Sequence, residues 1–263
     1  MSKKAIGIDI GGTGIKGALV NTKSGELRSE RVKVATSDGG EPEAIAQQVA
    51  DIVEAVEDKP GRPLGICFPA VVKHGITQSA ANVSERWIGL DADELFSTTL
   101  GRQVHVINDA DAAGIAEAKY GAGKNRQGLT VMTTLGTGIG TALIYDGVLV
   151  PNAELGHLEI EGVDYETQAS FVAMEREQLS FAQWARRLQV YYSTLEKLLT
   201  PDLFIVGGGV SKSHEKFLPL LELKTEIVPA KLQNSAGIIG TAALAKKLND
   251  GPADTPGSVV LAH

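Results

Sequence analysis

The chain has 263 residues, 43% of them hydrophobic and 22% charged, with a formal net charge of −7 at pH 7. That length and apolar content suit one large soluble domain or two lobes, while the acidic balance and the lack of a basic stripe argue against nucleic acid as a partner. A single cysteine, Cys67, excludes an internal disulfide and a cysteine-based zinc cluster; no membrane partner is expected, since no run is long enough to span a bilayer, and with no secretory pattern a cytoplasmic protein is expected.

The first predicted strand, near 4–10, contains Asp9 and leads into Gly11-Gly12-Thr13-Gly14-Ile15-Lys16-Gly17. The glycine spacing matches a dinucleotide loop, but that loop must open a helix. Here Ala18-Leu19-Val20 runs into the turn cluster Asn21–Gly25 and then into more strand-type sequence. Strands near 16–21 and 27–35 fit better, so the glycines join two strands. Glycine also permits the turn and the close approach of a ligand to backbone N–H groups. The stretch is not a Walker loop, because Gly17 is followed by Ala18.

A helix near 42–57 carries Pro42 in its first turn and Ile45, Val49, Ile52, Val53 and Val56 on one face. The apolar strand near 64–69 makes Cys67 a buried structural thiol. Asn82 follows in a polar loop. A strand near 104–107 then runs into Asn108-Asp109 and a helix near 109–119. A carboxylate there can face a ligand, or it can cap the helix and complement its dipole, with Asp111 the second candidate base.

Beyond a strand near 129–134, "GTGIGTALI" (136–144) lines up without gaps on "GTGIKGALV" (12–20). Each copy follows an apolar run and precedes a polar turn, which predicts two lobes built on one plan. A further strand falls near 141–145. Glu154 and His157, three residues apart, can reach one pocket and match the donor–acceptor pattern of vicinal hydroxyls; a metal pair is the alternative, without other ligands at metal spacing. A helix near 180–199 presents Phe181, Trp184, Leu188, Tyr191 or Tyr192, Leu195 and Leu198 to the core. Strands near 203–206 and 225–228 and a helix near 236–248 follow, then a loosely held tail at 249–263.

Asp9 with Gly-Gly-Thr, the second glycine run and "VGGGV" (206–210) resemble the phosphate and adenosine motifs of the actin–hexokinase–Hsp70 superfamily. Within it, "NDADAA" (108–113), "TLGTGIG" (134–140) and "AELGH" (153–157) are similar to the ROK sugar kinases, over about residues 5–248. The resemblance implies an α/β, two-lobed actin-like or ribonuclease-H-like ATPase fold, with a mixed β-sheet in each lobe and a cleft between them. Residues 1–108 with about 241–248 would form the N-terminal lobe and 109–240 the C-terminal lobe. Two departures stand out. The family's Cys-x-Cys-Gly-x-x-Gly-Cys zinc motif is replaced by "LEIEGVDYETQAS" (158–170), so no zinc is expected. Lysine, common directly after Gly-Gly-Thr, comes two residues later as Lys16. These forms, with "YGAGKNRQG" (120–128), are most similar to the branch whose phosphoryl donor is polyphosphate.

The resemblance implies transfer of a phosphoryl group to the 6-hydroxyl of glucose or a close hexose. Asp109 would be the base, and Asn82, Asn108, Glu154, His157 and Glu166 would hold the sugar. Gly11, Gly12, Thr13 and Lys16, with Gly136, Thr137 and Gly138, would grip phosphates. Gly208 and Gly209 would meet an adenosine or a donor tail, and Asp9 would meet Mg²⁺ through water. Polyphosphate needs spaced cations, for which Lys16, Lys119, Lys124 and Arg126 are candidates unless they are ordinary solvated side chains. ATP remains open as a donor. A strictly ATP-dependent glucokinase or fructokinase is the alternative. A sugar-sensing regulator is less favoured, since the first motif starts at residue 7. A homodimer is the family expectation.

Overall fold

The computed structural model describes residues 3–251. The chain divides into two compact units: one runs up to Ala116 and resumes at Ser235, and the other is Glu117–Asn234.

In the first unit β1 (Lys4–Gly11) and β2 (Gly14–Asn21) form an antiparallel hairpin. The strand expected over 27–35 is broken into β3 (Glu26–Leu27) and β4 (Val32–Val34), both paired with β2. Between them a side chain replaces the ladder, since Leu19 N donates to Ser29 Oγ at 3.0 Å. Next come α1 (Pro42–Val56), β5 (Leu64–Phe68), the small hairpin β6 (Val72–Lys73) and β7 (Ile76–Thr77), α2 (Ala92–Leu100), β8 (His105–Asn108) and α3 (Asp109–Tyr120). Strand order is β3-β2-β1-β5-β8, with β1, β5 and β8 parallel. Ile6, Ile8, Ile10 and Ile15 pack with Ile45, Val49 and Ile52 of α1 in a core that also holds Phe68, Trp87 and Phe96. The helical pattern of α2 is faint because only Ala92 and Phe96 are buried; Asp91 caps it by accepting from Glu94 N at 2.9 Å.

The second unit repeats this plan. β9 (Leu129–Leu135), β10 (Ile139–Tyr145) and β11 (Val148–Val150) form an antiparallel meander. After the hairpin β12 (Glu159–Ile160) and β13 (Val163–Asp164) come α4 (Glu166–Ala169), α5 (Phe171–Arg176), α6 (Phe181–Leu199), β14 (Leu203–Gly207) and β15 (Glu226–Pro229). The order is β11-β10-β9-β14-β15, with β9, β14 and β15 parallel. The echo between 12–20 and 136–144 is therefore an echo of two whole sheets. Ser180 and Gln183 form a capping box at the start of α6. Trp184, Leu188, Tyr191, Tyr192 and Leu195 are buried, but Leu198 is 61% exposed. Leu199, four residues after Leu195, continues the core face in its place.

The last helix, α7 (Ala236–Asn249), belongs to the first unit. At three places backbones meet without room for a side chain. A Cβ on Gly7 would lie 1.9 Å from Ile238 O, one on Gly65 2.3 Å from Thr241 O, and one on Gly240 1.8 Å from Ala112 O. These contacts tie all of α7 and the first turns of α3 to the first sheet, so the division falls after Ala116 and Asn234 rather than at 108 and 240. Of the tail expected at 249–263, all beyond Gly251 lies outside the described residues.

Candidate active site

In open α/β sheets ligands bind beyond the carboxyl ends of the parallel strands. In the first unit those ends carry the Gly12–Thr13 turn, Pro69-Ala70 and Asn108-Asp109. The turn is two residues long, and none of Gly11, Gly12, Thr13 or Gly14 has a left-handed φ. Glycine is thus needed here for space rather than for an unusual backbone angle, which corrects the expectation from sequence. A Cβ on Gly12 would lie 2.6 Å from Asn82 Cβ, so the structure brings Asn82 directly against the turn. Thr36 Oγ1 donates to Gly11 O at 2.6 Å and fastens a second loop there. Gly12, Thr36–Gly40 and Ala81–Val83 line an open groove of about 330 Å³. The only signal in the sequence for Thr36–Gly40 is the pair Gly39-Gly40, both left-handed here (φ 78° and 60°).

Asp9 stands opposite Lys16 in the hairpin and beside Cys67 of β5. Its Oδ2 lies 3.3 Å from Lys16 Nζ, and its Oδ1 accepts from Cys67 Sγ at 3.6 Å. Burial, followed by the Asp9 and Asp109 carboxylates, holds the Cys67 thiol well above its usual range, so it is an inert packing group. Across the sheet, Asn108 does the capping: its Oδ1 accepts from Ala110 N at 2.8 Å and Asp111 N at 3.1 Å, and its Nδ2 donates to Ala70 O at 3.1 Å. Both ends of the amide expected to hold sugar are thus engaged within the protein. Asp109 is the first residue of α3, half-buried, with Oδ1 2.8 Å from Ala110 N. Asp111 is 1% exposed and faces inward.

In the second unit the turn Gly136–Gly138 joins β9 to β10. Glu166 closes it from one side: Oε2 accepts from Ile139 N at 2.7 Å and would lie 2.3 Å from a Cβ on Gly138. Gly208 (φ +83°), which follows β14, presses on the end of the neighbouring β9, where a Cβ would lie 2.1 Å from Leu135 O, while Gly209 has open space around it. The Glu154–His157 turn packs on the same spot, since a Cβ on Gly156 would lie 2.0 Å from Ile139 O. Thr141 Oγ1 donates to Ala153 O and accepts from Leu155 N, and Tyr191 Oη donates to Leu155 O at 3.1 Å. One cluster thus gathers the glycine turn, Glu154, His157 and Glu166.

Asp164, which the sequence did not single out, organises this cluster. Its Oδ2 lies 2.9 Å from His157 Nδ1, and its Oδ1 accepts from Glu166 N at 3.1 Å. The bond to Asp164 is the main reason the His157 pKa is raised, and an Nδ1–H given to Asp164 leaves Nε2 for a ligand. Glu154 is raised above the ordinary carboxylate range, mainly because surrounding protein displaces water; His157 opposes the shift and Glu166 adds to it. The cations near "YGAGKNRQG" are less available than expected: Arg126 pairs with Glu226 at 2.9 Å, and Lys119 lies over the Tyr120 ring at 5.2 Å. Lys124 is exposed.

A ROK family model matches residues 5–177 of this sequence. The chain belongs to the ROK family. It is 45% identical to a polyphosphate glucokinase of Mycobacterium tuberculosis over 241 residues, covering 91% of this chain and 90% of that one. The crystal structure of inorganic polyphosphate/ATP-glucomannokinase from Arthrobacter sp. strain KM is 52% identical with a TM-score of 0.89, over 94% of this chain and 100% of the other. A ROK family glucokinase from Streptomyces griseus, solved with glucose and AMPPNP, is 25% identical with a TM-score of 0.77, over 93% and 99%. The mixed sheets of both units are those of the ROK family's actin-like ATPase fold.

Proposed function

We propose that this ROK protein transfers a phosphoryl group from polyphosphate, with ATP as a second donor, to the 6-hydroxyl of glucose or a close hexose. The observation that carries this reading is the cluster in which Glu154, His157 and Glu166 surround a glycine turn, in a chain 45% identical to a polyphosphate glucokinase. Glu154 and Glu166 accept from sugar hydroxyls, and His157 Nε2 bonds to a third, held in orientation by Asp164. Asp109 accepts the proton of the attacking hydroxyl as its oxygen bonds to the terminal phosphorus and the bridging P–O bond breaks. The shortened donor leaves with that bond's electron pair. Such a transition state is loose, so positioning and charge neutralisation matter more than a strong base. Backbone N–H groups of the Gly12–Thr13 turn receive the phosphate oxygens.

Mg²⁺ is held through one or two carboxylates together with substrate phosphates rather than in an all-protein cage. Asp9 fits that role: it is a carboxylate beside the first glycine turn, and no cluster of three or more His, Cys, Asp or Glu that could hold a metal occurs among the described residues. When bound, the ion would neutralise phosphate charge beside Asp9.

The test supplies glucose and Mg²⁺ with polyphosphate or ATP in separate reactions and measures glucose 6-phosphate. Product from polyphosphate is expected. Product from ATP alone would make this a nucleotide-dependent glucokinase, and product from neither would overturn the reading.

A further inference from the structure

Three charged residues lie on one line across the first sheet. Asp9 stands directly opposite Lys16 between β1 and β2, and Lys16 directly opposite Lys33 between β2 and β4. Directly opposite residues share a face of the sheet, and neighbouring strands are about 4.8 Å apart. Asp9 offsets the charge of Lys16 at 3.3 Å. Lys33 is exposed and makes no ion pair among the described residues. Like charges directly opposite one another destabilise a sheet, and the sequence neighbours of Lys33, Val32 and Val34, are the residues that lean on the core.

The position of Lys33 suggests what would compensate. Its side chain lies over the start of β2, with Cε 3.2 Å from where a Gly14 Cβ would be, one residue beyond the Gly12–Thr13 turn. The segment after it is bound to the same turn through Thr36 Oγ1 and Gly11 O. An anion received by the turn and by Lys16 therefore meets Lys33 next, toward the edge of the sheet.

We propose that Lys33 is a specificity-determining residue for the phosphoryl donor, holding the stretch of a polyphosphate chain that extends past the transferred group. The assignment rests on the reading of the first glycine turn as a phosphate site. A linear polyanion continues to present charge beyond its terminal phosphates, whereas the anionic part of a nucleotide ends at the α-phosphate. A second cation placed outward of Lys16 therefore favours the polymer.

The experiment compares the unaltered protein with Lys33→Ala and Lys33→Arg, using long-chain polyphosphate, tripolyphosphate and ATP at low and high salt. For Lys33→Ala, KM for long-chain polyphosphate is expected to rise about fivefold relative to KM for ATP at low salt, as for loss of one exposed charge contact. The loss should fall on KM rather than kcat, shrink at high salt and be restored by Lys33→Arg. An unchanged KM for long-chain polyphosphate, or an equal rise with all three donors, would overturn the assignment. Thermal melting of each variant separates these results from a loss of fold. If the unaltered protein makes no glucose 6-phosphate from polyphosphate, the donor reading itself fails. If it does, and Lys33→Ala matches it, only the role of Lys33 fails.

Discussion

Asn108 and Asp109 divide one helix start between them, and the division matters for chemistry. Because Asn108 satisfies the first N–H groups of α3, Asp109 is not required as a cap. Asp109→Asn should lower kcat by about 100-fold or more while glucose binding, read by calorimetry, stays close to that of the unaltered protein. Turnover near the original rate would move the base elsewhere. Asp164 acts one contact further out, through His157. A histidine whose pKa is higher in the folded than in the unfolded state contributes stability that is complete below about 6.5 and is lost as pH rises through the folded value. The main cause of the shift is the Asp164 bond. Asp164→Asn should therefore flatten the fall in Tm across that window and raise KM for glucose. A Tm–pH curve that keeps its slope would show that Asp164 does not hold the imidazolium. Asp164 was not legible in the sequence because its partner is set by the β12–β13 pairing, which folds 164 back beside 159.

At the scale of elements, local signals located most of the strands and long helices. Turn clusters bounded both glycine hairpins, and the stripes of α1 and α6 were visible from their period. What stayed hidden was non-local. The reason glycine stands at 12 and at 138 is a neighbour far away in sequence, Asn82 in one case and Glu166 in the other. Short elements such as α2 and α4 bury too few residues to show a period, and at the break between β3 and β4 a serine hydroxyl accepts from Leu19 N. The difference between neighbouring glycines is measurable. A Cβ on Gly136 meets nothing within 4 Å, whereas one on Gly138 would lie 2.3 Å from Glu166 Oε2. Gly136→Ala should change stability by no more than about 0.5 kcal/mol. Gly138→Ala should push Glu166 off Ile139 N and destabilise by about 1–2 kcal/mol. Urea midpoints of the two variants compare them directly, and equal midpoints would contradict the assigned role of Glu166.

At the scale of the whole molecule, the same strand order in both units makes the repeat of one glycine motif the surviving trace of a repeated sheet. What breaks the repeat is α7, whose packing on the first sheet is backbone against backbone. Gly240→Ala would place a Cβ 1.8 Å from Ala112 O, a main-chain atom that cannot swing aside. The expected loss is about 3 kcal/mol, read from a denaturant curve; an unchanged midpoint would mean that α3 and α7 can separate at little expense.

This seam also sets an order of events during synthesis. A ribosome usually releases N-terminal domains to fold first, but here β1 waits for α7, which is made only after the whole of the second unit. Glu117–Asn234 is continuous and can complete its sheet while one face of the earlier sheet is still bare. Gly7 and Gly65, lacking side chains, leave that face with little apolar surface of its own to collapse on. The nascent chain therefore finishes its second half before its first, and the amides of β1 and β5 should gain protection from hydrogen exchange only after residue 249 has emerged.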